Sequence, residues 1–97
     1  MFGIEILPGA EEDLLWFCKP DQVQIRDAVY EQLRHQPDVE TRNRKRLKGR
    51  HLAEWELRVG DMRVFYGIDA ESGLVTIVAV GYKERNKLFF QGEEYET

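Results

Sequence analysis

Two runs of alternating side chains, residues 53–59 and 62–69, meet at Gly60-Asp61, and no other feature limits the possible folds of this chain so strongly. In the first run Ala53, Trp55, Leu57 and Val59 alternate with Glu54, Glu56 and Arg58, the two-residue period of a strand with one buried face. Gly60-Asp61 has the composition of a two-residue hairpin turn, so residues 62–69 return antiparallel to the first run. A turn that tight sets Val59 against Met62, Arg58 against Arg63 and Glu56 against Phe65. A second turn at 70–73 leads into residues 74–80, which are apolar on both faces as a central strand is.

A sheet with one apolar face needs cover, and the N-terminal half supplies it. Residues 2–7 read as a short strand stopped by Pro8-Gly9, after which Ala10, Leu14 and Phe17/Cys18 recur at helical spacing. A second helix starts at Pro20 or Asp21, carries the stripe Ile25, Ala28, Val29 and Leu33, and ends near Pro37. The predicted fold class is therefore α+β: an N-terminal strand and a two-helix hairpin packed on a small, mainly antiparallel sheet, in the order β-α-α-β-β-β. Residues 38–50 are a connector with a helical turn at 43–47 that inserts Leu47 into the core. Residues 82–90 are either a short amphipathic C-terminal helix or an extended loop. Residues 91–97, with Glu93, Glu94 and Glu96, read as a flexible acidic tail. Cys18, on the apolar side of the first helix, is expected as a small core residue.

At 97 residues the chain is near the lower limit for an independent core, which makes residues 1–97 one domain. It lacks both an apolar run of the roughly 18 to 20 residues that span a membrane and a signal peptide, so a cytoplasmic location with no membrane partner is expected. Cys18, His35 and His51 are too few to complete a zinc site, and neither metal nor cofactor is expected.

Charge is unevenly spread. Residues 42–63 hold eight Arg and Lys against three carboxylates, a local +5, while the whole chain carries −4. Arg42, Arg44, Lys45, Arg46, Lys48 and Arg50 fall within nine positions, dense enough to neutralise several phosphates, although a solvated basic loop would look the same. The hairpin's alternation puts Glu54, Glu56, Arg58 and Arg63 on its charged face, with Lys83 and Arg85 near the end of the neighbouring strand. Metal-independent RNA cleavage needs a base for the 2′-OH, cations for the charge growing on phosphate, and an acid for the leaving oxygen. Glu54 or Glu56 can serve as base, Arg58, Arg63, Lys83 and Arg85 as phosphate ligands, and His51 as acid. The plainer reading is a cross-strand ladder of exposed ion pairs. Phe65 shares this face and can be read as sheet packing or as a surface for stacking a base.

Three stretches, Leu47-Lys48-Gly49, then Trp55-Glu56-Leu57-Arg58-Val59-Gly60-Asp61-Met62-Arg63-Val64-Phe65-Tyr66, then Val80-Gly81-Tyr82-Lys83-Glu84-Arg85-Asn86-Lys87-Leu88, resemble the RelE/ParE toxin superfamily. The resemblance implies a type II toxin, a cognate antitoxin protein as partner, and one of two activities. The first is ribosome-dependent endoribonuclease cleavage of mRNA, an mRNA interferase that arrests translation; the second is non-enzymatic, ParE-like inhibition of DNA gyrase. In the ribosome-dependent members the arginine matching Arg63 contacts the scissile phosphate, and Lys83 stands where an arginine is familiar. Arg44, Lys45, Arg46, Lys48, Arg50, Arg58 and Arg85 are then RNA-binding candidates. Glu54 and Glu56 stand where the best-known ribonuclease has two lysines, and Phe89 stands where it has a catalytic tyrosine. These departures keep a third outcome in view, a degenerate toxin that only binds its antitoxin.

Overall fold

The tight turn at Gly60-Asp61 forms, with Gly60 at φ +61°, a left-handed conformation that glycine adopts without steric cost. It joins β3 (Trp55–Val59) to β4 (Met62–Asp69) in the expected register, Val59 opposite Met62, Arg58 opposite Arg63 and Glu56 opposite Phe65. The structure, a computed structural model, describes residues 1–49 and 52–96. Arg50 and His51 lie outside the described residues.

Chain order is β1 (Gly3–Ile6), α1 (Pro8–Trp16), α2 (Lys19–Leu33), β2 (Arg44–Arg46), β3, β4, β5 (Leu74–Glu84), β6 (Lys87–Phe90) and β7 (Glu93–Glu94). The strands form one sheet in the order β2-β3-β4-β5-β6-β7, with β1 pairing parallel to β5 and every other pair antiparallel. One edge of β5 is thus shared: β1 covers its first part at Leu74 to Ile77, and β6 covers its last part at Tyr82 to Glu84. In the gap between them the Val80 amide donates to Asp13 Oδ2 at 3.0 Å, and Asp13 Oδ1 accepts from Gln91 Nε2 at 2.8 Å. A buried carboxylate from α1 thereby completes the sheet edge and ties down the start of the C-terminal segment.

Both helices lie on one face. Leu14 and Phe17, with Ile25, Val29 and Leu33 of α2, close over Trp55, Leu57, Val64, Tyr66, Val75, Ile77 and Val80. Tyr66 is the anchor of this layer, fully buried, stacked 6.0 Å from Trp55, with its hydroxyl donating to the Pro37 carbonyl at 2.8 Å. Burial pushes the Tyr66 phenol well above its usual range. Because the fold favours the neutral phenol, its stabilising contribution is complete below the unfolded pKa of about 10 and is lost as pH rises beyond it. Tyr66→Phe is expected to cost about 1–3 kcal/mol at neutral pH, by leaving the buried Pro37 carbonyl unpaired, and to flatten the loss of stability above about pH 10. Urea titrations of both proteins at neutral and alkaline pH measure this.

Four local expectations are corrected. Residues 82–90 form no helix: β5 runs on to Glu84, turns at Arg85-Asn86 with φ of 54° and 66°, and returns as β6. Two consecutive residues with positive φ are what a two-residue hairpin turn requires. Residues 44–46 are a strand paired with β3, not a helical turn, and Leu47 is half-buried at the sheet's edge. Cys18 is exposed, because α1 ends at Trp16 and the extended residue before α2 points away from the core. The acidic segment is not wholly a tail, since Glu93 and Glu94 pair with Phe90 and Phe89.

Candidate functional site

The sheet face turned away from the helices is set by the same alternation that builds the core. Glu56 and Arg58 of β3, and Arg63 and Phe65 of β4, project there because Trp55, Leu57, Val59, Met62, Val64 and Tyr66 project the other way. Lys45 of β2 stands directly across from Glu56, with Phe65 on its other side. On β5, Lys83 is held beside the β3–β4 turn by its amide, which donates to the Asp61 carbonyl at 2.8 Å.

Lys45, Glu56, Phe65 and Lys83, with Lys87 and Tyr95 among others, line an open groove of about 420 Å³. A smaller depression of about 240 Å³ adjoins it, lined by Arg44, Lys45, Glu56 and Arg58 among others, so Glu56 and Lys45 belong to both. The anticipated ladder of ion pairs is not formed: among the described residues the salt bridges are Arg26–Glu11 and Lys87–Glu94. Glu56 thus shares the face with Lys45, Arg58, Arg63 and Lys83 and forms no direct ion pair with them.

Arg63, opposite Arg58 and Gly81 on the same sheet face, is not part of the groove lining. It is 8% exposed, and its Nη1 donates to the Gly60 carbonyl at 2.8 Å and the Met62 carbonyl at 2.9 Å. Its Nε is buried with no partner among the described residues. An unpaired donor in that position costs free energy unless a ligand oxygen meets it. Desolvation lowers the Arg63 pKa and nearby Arg58 adds to this, while Glu56 and Asp61 oppose it. An anion on this face would offset the repulsion from Arg58.

The remaining candidates separate. Glu54 is exposed and absent from the groove wall; its Oε1 leans to within 4.0 Å of where a side chain on Gly67 would begin. Arg44 spends two nitrogens on structure, Nε to the Val39 carbonyl at 3.0 Å and Nη1 to the Gln32 carbonyl at 2.8 Å, which clamps the connector to α2. Arg46 and Lys48 line another depression with Glu40, and Arg85 sits in one with Glu84 and Phe89 beyond the β5–β6 turn. His51 and Arg50 lie outside the described residues. Lys87 and Tyr95 were not singled out from the sequence; recognising 87–90 as a strand would have signalled Lys87. Phe89 faces the helix side, stacked 5.2 Å from Tyr82. Among the described residues no group of three or more His, Cys, Asp or Glu side chains is placed to hold a metal ion, and no helix is long and apolar enough to cross a membrane.

A family model described as the ParE toxin of type II toxin-antitoxin system, parDE, matches residues 4–87. Among solved structures, the toxin–antitoxin complex RelBE2 from Mycobacterium tuberculosis contains a chain 25% identical, with a TM-score of 0.72 over 84% of this chain and 98% of that one. The isolated RelE toxin of E. coli is 17% identical, with a TM-score of 0.71 over 88% and 87% of the two chains. The archaeal RelE–RelB complex from Pyrococcus horikoshii is also 17% identical, with a TM-score of 0.61 over 87% and 97%. No curated protein matches the sequence.

Proposed function

This chain belongs to the RelE/ParE superfamily of type II toxin–antitoxin toxins, and we propose that it is a ribosome-dependent endoribonuclease held in check by a cognate antitoxin. The observation that carries the reading is the meeting of Glu56 with Lys45 and Lys83 around one open groove, on the sheet face that also carries Arg63. The solved complexes named above pair a RelE-like toxin with a RelB antitoxin, which supports the partner.

In the proposed reaction Glu56 takes the 2′-OH proton of an mRNA nucleotide, and the 2′ oxygen attacks the adjacent phosphorus. The bond from phosphorus to the 5′ oxygen breaks, leaving a 2′,3′-cyclic phosphate and a 5′-OH. Negative charge grows on the non-bridging oxygens, where Lys45 and Lys83 act as point charges and Arg63 adds a fixed positive charge on the same face. Because Nη1 is fixed on two backbone carbonyls, the Arg63 guanidinium is oriented before substrate arrives. His51 is assigned the proton for the leaving oxygen.

The test is mapping of mRNA breaks by primer extension in a purified translation system. Arg63→Ala is expected to lower cleavage by about 10²–10³-fold, the loss typical of one transition-state donor. Unchanged cleavage by a variant whose melting temperature is preserved would remove Arg63 from the site. A second reading, a non-enzymatic inhibitor of DNA gyrase, is favoured by one observation, that the matching family model is that of ParE. Its signature is growth arrest with intact message.

A further inference from the structure

Three aromatic rings touch in succession, the first and last of them lining the groove. Phe65 and Phe90 are 5.9 Å apart and tilted by 54°, and Phe90 meets Tyr95 edge-to-face at 5.6 Å and 89°. Their exposure rises in that order. Phe65 is 4% exposed, which favours the sheet-packing reading over base stacking, whereas Tyr95 is 37% exposed.

Tyr95 is held in place. The residue follows β7, and its amide donates to the Leu88 carbonyl at 2.8 Å, which extends the pairing of β7 with β6 by one residue. Phe90 against its ring restrains the ring's orientation. Around it the groove wall carries Lys45, Lys83 and Lys87, and the Lys87–Glu94 contact at 3.8 Å is an exposed pair that phosphate can displace. Lysines are compact point charges that attract phosphates without fixing the orientation of what they bind. An open, oriented ring among them supplies what they lack, since every base has a π-face to lay on it. The contrast with Trp16 is informative: it is 47% exposed, but it stacks on Tyr82 at 5.5 Å and is absent from the groove wall.

We propose that Tyr95 is the platform on which a nucleobase of single-stranded RNA stacks, with Lys45, Lys83 and Lys87 holding the flanking phosphates. The inference rests on the reading of the groove as an RNA site and adds a base-binding position to it. It requires no chemistry, so binding alone tests it.

The test uses the full chain and short single-stranded oligonucleotides with 2′-O-methyl riboses, which cannot be cleaved through the 2′ oxygen. One is complete and one is abasic throughout, and affinities are compared by fluorescence anisotropy for the wild type, Tyr95→Ala and Tyr95→Trp. The wild type is expected to prefer the complete oligonucleotide by about tenfold or more, Tyr95→Ala to lose that preference while binding the abasic strand as the wild type does, and Tyr95→Trp to retain it. A merely structural role for Tyr95 would weaken both strands alike, and that result overturns the proposal. So does loss of antitoxin binding with unchanged oligonucleotide binding, which assigns the ring to the protein partner. If the wild type binds neither strand, the proposal and the phosphate groove fall together. If base preference survives Tyr95→Ala while mRNA cleavage still depends on Arg63, the platform alone is wrong.

Discussion

Replacing Glu56 by glutamine is expected to lower the rate of mRNA cleavage by about 10²–10⁴-fold, the range a positioned general base contributes, with no loss of folding or antitoxin binding. Glutamine keeps the shape and one acceptor oxygen but cannot take the 2′-OH proton. Glu56 is half-buried, faces Lys45 across the β2–β3 pair and makes no salt bridge within the described residues, so the fold does not depend on its charge. Glu54 is the internal control. It is two residues away on the same strand period, yet it lies off the groove wall, and Glu54→Gln should change the rate little. Single-turnover cleavage of ribosome-bound message compares the two, and equal effects would withdraw the assignment of the base.

The second large effect is structural and arises at Gly81. This residue sits on β5 opposite Arg63, and a Cβ there would stand 2.4 Å from the Phe89 carbonyl oxygen and 2.8 Å from Phe90 Cε1. The nearer obstacle is backbone of the paired strand, which no rotamer change can clear. Gly81→Val should therefore destabilise the protein by about 3 kcal/mol, at the upper end of ordinary overpacking. For a chain of this size that corresponds to a fall in melting temperature of about 10–20 °C. The same displacement would move Phe90, the ring against which Tyr95 rests, so activity should fall even where the variant stays folded. A thermal melt within a few degrees of the wild type would show that β6 can move aside.

Much of this architecture was legible because two independent signals agreed at each step. The β3–β4 register followed from a two-residue period and a glycine turn together, and it placed Glu56, Arg58 and Arg63 on one face. Other parts carried only one signal. Arg44, Lys45 and Arg46 have no apolar period, and their strand exists through backbone pairing with β3, which local composition does not encode. Residues 82–90 combine cations at every second position with three consecutive apolar residues, a pattern that suits helix or strand, and their turn uses Arg85-Asn86 where glycine would have been recognised. Arg63 was visible as a cation but not as a fixed one, because its anchors are carbonyls that only the folded turn presents. Tyr95 was hidden in an acidic stretch and comes into the groove only through the pairing of β7 with β6.

The central claim, that the groove around Glu56 cuts message on the ribosome, is tested most directly by the ends of the RNA. A purified translation system is given the wild-type chain or Glu56→Gln, and 3′ ends of the message are mapped with and without enzymatic removal of cyclic phosphate. The account predicts ribosome-dependent breaks ending in 2′,3′-cyclic phosphate with the wild type and their disappearance with Glu56→Gln. Intact message from a chain that still arrests growth, with gyrase inhibited in the same cells, would contradict it.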